Sequence, residues 1–350
     1  MTLIVLENEA GAEALTRTLE GAVSSAPSAV VHVGTRPQTG FTGTFIPSHG
    51  RSPESILRET LGRMSGSDIA VIIDARLGLR PDIIQNFVTA ASQADSGVAY
   101  MPIRVGTETI ELSDTSAQQL LATALRQNLW PVACVAIRGS LIDSHDDISG
   151  ETSQEILGRL LGIAAARDED IERIGITSGE KQLLEISPKG RSSIIEAIVN
   201  ASNIEELFPH HPWNTHKEES LAACFHTIAA MLIRLGNAEG AMECLRLSDE
   251  LEDSPRSLAL KGIISMLGGE TLGAVANMVS SLQQYEQRKR EEQDHYLTFK
   301  PTDMETINIK LKSGLDALNK RDNEAALKEF FEAVFSFDSF FSEYGLDSIS

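Results

Sequence analysis

An aspartate and an arginine stand two residues apart at the end of an apolar run. The run Ile69–Ile73 has the length and β-branched content of a buried strand, and Asp74-Ala75-Arg76 follows it directly. Carboxylate oxygens are ligands of hard cations. Arg76 is a permanent cation that cannot ligate a metal.

Histidines form a second cluster of chemically active side chains. His210, His211 and His216 lie within seven residues, around Trp213. Imidazole nitrogens ligate zinc, but no cysteine or carboxylate pattern accompanies these three residues. The pattern therefore favours solvated histidines of a linker over a metal site, and no metal site is predicted.

The elements that position Asp74 alternate between strand-like and helix-like patterns over about the first 180 residues. The predicted strands are short and rich in Val and Ile: Leu3–Leu6, Ala29–Val33, Ile69–Ile73, Gly97–Pro102 and Val132–Ile137. The predicted helices between them are Gly11–Val23, Pro53–Met64, Pro81–Ala94 and Thr115–Gln127. Such alternation predicts an α/β, Rossmann-like domain over residues 1–180, with a mostly parallel sheet.

Beyond this domain the strand pattern ends. Turn-rich segments, Ser187–Gly190 and Phe208–Pro212, flank a predicted helix, Ser192–Leu207. We expect residues 181–212 to be a linker with one helix, with the boundary near Pro209. Residues 213–350 are expected to form an all-α domain.

The helical part contains a repeat. Three segments share small and bulky residues at fixed spacing, with a small residue twelve positions before an alanine and a bulky residue four positions after it. The three sets are Ala229, Ala241 and Leu245; Gly262, Ala274 and Met278; and Gly314, Ala326 and Phe330. Small residues let two helices cross closely, and bulky ones fill the space beside them.

This pattern resembles the tetratricopeptide repeat over about residues 215–340. The chain departs from that family in lacking its tryptophan, and Asp338 occupies the place of its terminal proline in the third unit. The resemblance implies helical hairpins that bind another protein or a peptide. The alternative is a generic helical bundle.

The segment Gly66–Asp82, with its strand, Asp74-Ala75-Arg76 and Pro81-Asp82, resembles inverting nucleotide-sugar glycosyltransferases with the A-type fold. The resemblance covers about residues 1–175 and includes Arg138-Gly139-Ser140 and the segment Glu155–Leu161. It implies an A-type glycosyltransferase-like sheet, with Asp74 and Arg76 at a nucleotide-sugar site.

The chemistry implied by that resemblance is incomplete in this chain. In the family, the first Asp of Asp-x-Asp contacts the nucleotide and the last holds a divalent metal on the diphosphate, whereas Arg76 stands at the last position. Two interpretations of Arg76 follow: it binds the diphosphate in place of a metal, or it forms an ion pair with a neighbouring side chain. The family's base-reading Asp follows the second strand, where Val33–Pro37 offers no carboxylate. Glu155 falls where the family places its catalytic base; the alternative is a helix N-terminal acid favoured by the helix dipole. Mn²⁺ or Mg²⁺ is expected only if the site is active.

Composition narrows the class of partner. The chain has 350 residues and a formal charge of −20, so nucleic acid and membrane insertion are not expected. Three widely spaced cysteines, with no signal-like or membrane-spanning run, indicate the cytoplasm.

Three functional hypotheses remain. The leading one is a non-catalytic interaction or scaffold protein with a degenerate glycosyltransferase-like domain and a tetratricopeptide-like partner-binding domain. The second is an active nucleotide-sugar glycosyltransferase whose helical part recruits a protein acceptor. The third is a structural subunit of a larger assembly.

Overall fold

The structure is a computed structural model, and its elements divide into two compact units, Met1–Asn203 and Ile204–Ser350. The α/β character of the first unit and the helical character of the second confirm the predicted fold class. The residues described are 1–7, 10–25, 27–48, 51, 53–61, 68–105, 108–110, 112, 115–128, 130, 132–141, 152–175, 177–178, 185–290, 301–335 and 338–344.

The first unit is built on one sheet. Its described strands, in chain order, are β1 (Thr2–Leu6), β2 (Ala29–Gly34), β3 (Thr44–Pro47), β4 (Ile69–Asp74), β5 (Val98–Val105), β6 (Glu108–Ile110), β7 (Val132–Arg138), β8 (Ile171–Arg173) and β9 (Thr177–Ser178). The spatial order is β3-β2-β1-β4-β7-β5-β6, and β8 and β9 also pair with β5. Strands β3, β2, β1 and β4 are mutually parallel, and β7 is antiparallel to both β4 and β5.

Helices connect the strands of this unit and pack on the sheet. They are α1 (Ala12–Ser24), α2 (Pro53–Leu61), α3 (Pro81–Gln93), α4 (Ala117–Arg126), α5 (Ser153–Ala166) and α6 (Pro188–Ala201). Helices α1 and α3 bury Leu19 and Phe87 in the core formed with Val5 and Ile73 of the sheet. Burying this apolar area drives the layered arrangement. The end of the helix expected over 53–64 lies outside the described residues.

The segment around Pro188 corrects one sequence-based expectation. Ser187–Gly190 was predicted to be a turn before a helix at Ser192–Leu207, but α6 begins at Pro188 and ends at Ala201. The Ser187 hydroxyl accepts a hydrogen bond from the Gly190 N–H at 3.0 Å. Serine at the N-cap and proline at the first helical position start a helix, so this sequence initiates α6. A separate short helix, α7 (Ile204–Leu207), follows.

The second unit consists of helices. After α7 come α8 (Lys217–Arg234), α9 (Ala238–Asp249), α10 (Pro255–Leu267), α11 (Thr271–Arg290), α12 (Pro301–Asn319), α13 (Asn323–Phe335) and α14 (Ser339–Glu343). Pairs α8–α9, α10–α11 and α12–α13 form three antiparallel hairpins, and α11 packs against α12. None of the described helices has the length and apolar composition needed to cross a membrane.

Each hairpin buries the repeated small and bulky residues. All of the repeated alanines, together with Leu245, Met278 and Phe330, are fully buried, and Gly262 and Gly314 are at helix contacts. A Cβ atom on Gly314 would lie 2.3 Å from the Phe330 ring, and one on Gly262 would lie 2.8 Å from the Met278 methyl group. The small residue and the bulky residue sixteen positions later therefore fill one space between the two helices of a hairpin.

The turn inside each hairpin also repeats. Gly236, Gly269 and Arg321 have φ angles of 76°, 81° and 62°, and each stands five positions before the repeated alanine. The residue after each of them donates its N–H to the carbonyl oxygen five residues earlier, as in Asn237 to Leu232 at 2.9 Å. This is the Schellman arrangement, in which a left-handed residue, preferably glycine, ends a helix. Arg321 adopts it without being glycine, so the turn geometry is imposed by the hairpin rather than by the local residue type.

Three glycines allow a direct test of the close helix contacts. We expect Gly314→Ala to lower the free energy of unfolding by about 1–3 kcal/mol, because the rigid Phe330 ring must move. Gly262→Ala should cost less, since the flexible end of Met278 can turn aside. Gly273→Ala on α11, whose Cβ would meet no atom closer than 3.5 Å, should be stabilising by up to about 1 kcal/mol through helix propensity. Urea unfolding of the three variants would measure the order of these changes in the free energy of unfolding. Equal changes at Gly314 and Gly273 would refute the prediction.

Candidate functional site

The sequence-predicted pair Asp74 and Arg76 lies at the carboxyl end of β4. Asp74 is fully buried, and its side chain receives four hydrogen bonds from Arg76. The Arg76 backbone N–H donates at 3.0 Å, Nε donates to both carboxylate oxygens at 3.0 and 3.1 Å, and Nη2 donates at 2.5 Å. A short 3-10 turn, Ala75–Leu77, and the left-handed Gly78 hold this geometry. The second interpretation of Arg76, an ion pair with a neighbour, describes this contact.

This geometry does not fit a divalent metal at the Asp-x-Arg motif. Both Asp74 oxygens already accept hydrogen bonds from a cation, and Arg76 itself cannot be a ligand. Within the described residues, no group of three or more His, Cys, Asp or Glu side chains is placed to hold a metal ion. We therefore derive no chemical step through Mn²⁺ or Mg²⁺ at this motif.

A carboxylate that the sequence analysis missed lies at the same edge of the sheet. Glu7 directly follows β1, whose last residue, Leu6, is in register with both Val33 and Asp74. The Glu7 carboxylate accepts hydrogen bonds from the Thr35 N–H at 2.7 Å and from the Thr35 hydroxyl at 2.9 Å. A carboxylate therefore does stand beside the end of β2, contributed by β1 instead of by residues 33–37.

Gly34 and His32 complete the surroundings of Glu7. A Cβ atom on Gly34 would lie 1.7 Å from Glu7 Oε2, so only glycine leaves room for the carboxylate. His32 is fully buried, with its Nε2 atom 3.4 Å from Glu7 Oε2 and its ring packed against Phe45 at a centroid distance of 5.2 Å. Burial lowers the pKa of His32, and the Glu7 charge opposes that shift. The buried ring is therefore held mainly as neutral imidazole.

The structure places Glu155 among helices. Glu155 is on the first turn of α5, where its N–H donates to the Thr152 hydroxyl at 3.2 Å, and only 3% of the residue is exposed. Its carboxylate packs against the first turn of α6: the Ser187 hydroxyl lies 3.4 Å from Oε1, and a Cβ on Gly190 would lie 2.1 Å from the same atom. This position matches a helix N-terminal acid, in which helix dipoles favour the negative charge. Its predicted role as a catalytic base stays a prediction.

The three clustered histidines have separate environments. His210 Nε2 lies 3.1 Å from a Glu343 oxygen, His216 Nδ1 lies 3.8 Å from a Glu219 oxygen, and His211 packs edge-on against Trp213. Each imidazole therefore has its own neighbour, in keeping with individual helix-cap and packing contacts.

Comparisons with known proteins give only distant likenesses. No protein-family profile matches the chain, and no curated protein matches it. A crystal structure of S. aureus TarS 1-349 in complex with UDP-GlcNAc is 13% identical, with a TM-score of 0.43, covering 84% of this chain and 93% of that one. A structure described as a nucleotide-diphospho-sugar transferase from Desulfovibrio desulfuricans G20 is 9% identical, with a TM-score of 0.31, covering 51% of this chain and 82% of that one.

A third solved structure is a manganese complex of a protein from Mycobacterium tuberculosis H37Rv. It is 10% identical, with a TM-score of 0.32, and covers 56% of this chain and 97% of that one. Nucleotide-sugar transferases are thus among the structural neighbours. At these identities and TM-scores the likenesses assign no activity, and the fold described above rests on its own strands and helices.

The Asp74–Arg76 contact predicts a measurable coupling. We expect Arg76→Ala to lower the free energy of unfolding by about 2–3 kcal/mol, because it leaves a buried carboxylate without its cation. The loss is below that of a fully buried pair, since 23% of the Arg76 side chain is exposed. The double variant Asp74→Asn, Arg76→Ala should lose less than the sum of the single variants.

A matched control is the Arg80–Asp82 pair, in which both side chains are more than half exposed. Arg80→Ala should change stability by no more than about 0.5 kcal/mol. Chemical denaturation of the wild type, the two single variants and the double variant measures the coupling, with Arg80→Ala as the control. An Arg76→Ala effect as small as that of Arg80→Ala would contradict the prediction.

Proposed function

We propose that this chain is a non-catalytic protein-interaction or scaffold protein, in which a degenerate glycosyltransferase-like α/β unit is joined to a tetratricopeptide-like unit that binds another protein or peptide. The observation that carries the proposal is the Asp74–Arg76 contact. The carboxylate at the end of the central strand β4 is fully buried and neutralised by a side chain of its own loop. A donor site of the family's kind needs the first carboxylate for the nucleotide and the last for the metal. Here the first is bonded to Arg76, and Arg76 itself stands in place of the last.

The helical unit supports the interaction part of the proposal. Its three hairpins repeat the same small-to-bulky contact and the same turn, which is how repeat proteins build an extended surface from equal units. Among the described residues, the large exposed hydrophobic side chains are Val23 in the α/β unit and Met242, Leu267, Leu272 and Ile309 in the helical unit. The helical unit thus offers most of the apolar area that a partner could bury.

The second candidate is an active nucleotide-sugar glycosyltransferase whose helical unit recruits a protein acceptor. Glu7 favours it, because a carboxylate bonded to Thr35 occupies the carboxyl edge beside β2, where open α/β sheets bind ligands. In this reading Arg76 would leave Asp74 and pair with the donor diphosphate. Metal dependence and the Arg76 variants separate the two candidates.

Nucleotide binding provides the first test. We expect manganese to leave the affinity of the wild type for uridine or guanosine diphosphate sugars unchanged in calorimetry. Arg76→Asp rebuilds the Asp-x-Asp pattern, yet we expect it to gain no metal-dependent binding, because Asp74 is buried within its own loop. Arg51→Asp is the control, since it makes the same charge change at an exposed arginine outside the motif. Micromolar, manganese-dependent binding by the wild type would overturn the non-catalytic proposal.

Partner binding provides the second test. In pulldowns, the full-length wild type and the control variant Val23→Glu should enrich the same partner. Val23 is a half-exposed aliphatic residue of the α/β unit. Leu272→Glu and Ile309→Glu, at positions 88% and 58% exposed, should each reduce recovery at least about tenfold, because burying one such side chain contributes about 1.5–3 kcal/mol. Quantitative mass spectrometry measures the recovery. If only Val23→Glu reduces it, the partner binds the α/β unit and the proposal is wrong.

A further inference from the structure

A cleft of about 530 Å³ opens beside the loop that follows β4 in the α/β unit. Three of its lining residues are arginines from separate elements: Arg17 on α1, Arg80 at the start of α3 and Arg104 on β5. Gly78 and the buried Thr177 also line it. Strand β5 runs parallel to β4, because each is antiparallel to β7, so Arg104 near the end of β5 lies toward the same edge of the sheet as Gly78.

The lining of this cleft is rich in arginine, although the chain as a whole is acidic. Three arginines line one concavity in a protein whose formal charge is −20. A concave surface with charge of one sign concentrates the electric field and attracts ligands of the opposite sign. The three arginines therefore favour an anionic ligand in this cleft, although the protein as a whole is acidic.

Two of the arginines have carboxylate neighbours that a ligand can displace. Arg17 lies 2.6 Å from Glu13, and Arg80 lies 2.7 Å from Asp82. The side chains of these pairs are between 44% and 86% exposed, and exposed pairs of this kind contribute about 1 kcal/mol or less. Exchanging such a carboxylate for a multiply charged oxyanion therefore costs little.

We propose that this cleft binds a ligand through a phosphoryl group, as a phosphomonoester or a diphosphate, without a metal ion. Guanidinium groups match the geometry of phosphate oxygens and form charge-assisted hydrogen bonds with them. The peptide dipoles of the thirteen-residue helix α3 add positive potential at its N-terminus. The three arginines are distinct from Arg76, so this inference goes beyond the proposed function and does not depend on the state of the Asp74–Arg76 pair.

The experiment is calorimetric titration of the full-length protein with inorganic pyrophosphate and, separately, with inorganic phosphate, at low ionic strength in the presence of EDTA. We expect saturable binding to the wild type. Arg17→Gln and Arg104→Gln should each weaken it about tenfold, the effect of removing one charge-assisted hydrogen bond. Glu13→Gln should strengthen binding, because it removes the carboxylate that competes for Arg17.

Arg51→Gln is the matched control. Arg51 lies 2.7 Å from Glu59, and both side chains of that pair are about as exposed as Arg17. It should bind pyrophosphate as the wild type does, and melting temperatures confirm that each variant is folded. Tighter binding of pyrophosphate than of phosphate identifies a diphosphate ligand, and the reverse order identifies a phosphomonoester.

Three results would each overturn the proposal: no saturable binding of either anion, equal weakening by Arg51→Gln and Arg17→Gln, or binding that requires added Mg²⁺. The second result would assign the effect to the general charge of the protein. None of these results bears on whether the helical unit binds a partner, so the two proposals fail separately.

Discussion

Carboxylates withdrawn from water must be matched by donors, and this requirement shapes both units. Asp74 is fully buried and is matched by Arg76, and the buried Asp338 at the start of α14 is matched by Arg256 of α10. An unpaired buried charge costs several kcal/mol. The chain must therefore adopt the geometry that makes each pair. In the α/β unit, that geometry is the tight turn after β4, which places three Arg76 nitrogens on one carboxylate.

The same requirement limits the chemistry at the carboxyl edge of the sheet. Asp74 is engaged by Arg76 and Glu7 by Thr35, so both carboxylates at the ends of β4 and β1 already have donors from the chain itself. A metal or a substrate would have to compete with these intramolecular hydrogen bonds. In the cleft beside the loop after β4, by contrast, exposed carboxylates form salt bridges with Arg17 and Arg80. Exposed salt bridges exchange partners at little cost in free energy. Anion binding is therefore favoured there over metal binding at Asp74.

Much of the fold follows from local patterns, and much of the site does not. The apolar runs predict the central strands of the sheet, because a strand buried on both faces needs continuous apolar residues. Gly314 and Phe330 contact each other within one hairpin, so their spacing could be recognised in a short stretch of sequence. Strands β3, β6, β8 and β9 are only two to four residues long, and the order of their residue types carries too little periodicity to predict them.

Glu7 shows why the site was harder to predict. Its partner Thr35 is 28 residues away, and their contact depends on the register between β1 and β2 and on the absence of a side chain at Gly34. No local pattern encodes that register. Arg76 was recognisable as a cation in the place of a metal ligand, because its neighbour Asp74 is only two residues away. Residue type thus shows that position 76 carries a cation, whereas the contacts around Glu7 require the assembled sheet.

Helix α14 covers apolar surface at the end of the third hairpin. Repeat units bury apolar surface against their neighbours, so the last unit needs a cap. Asp338 stands where a repeat would carry proline, and it instead accepts the Phe340 N–H and the Thr227 hydroxyl and so begins α14. Phe341 of α14 packs on Phe335 at the end of the third hairpin. Helix α14 therefore buries apolar surface of the third hairpin within the chain itself, whereas Leu272 on α11 and Ile309 on α12 stay exposed.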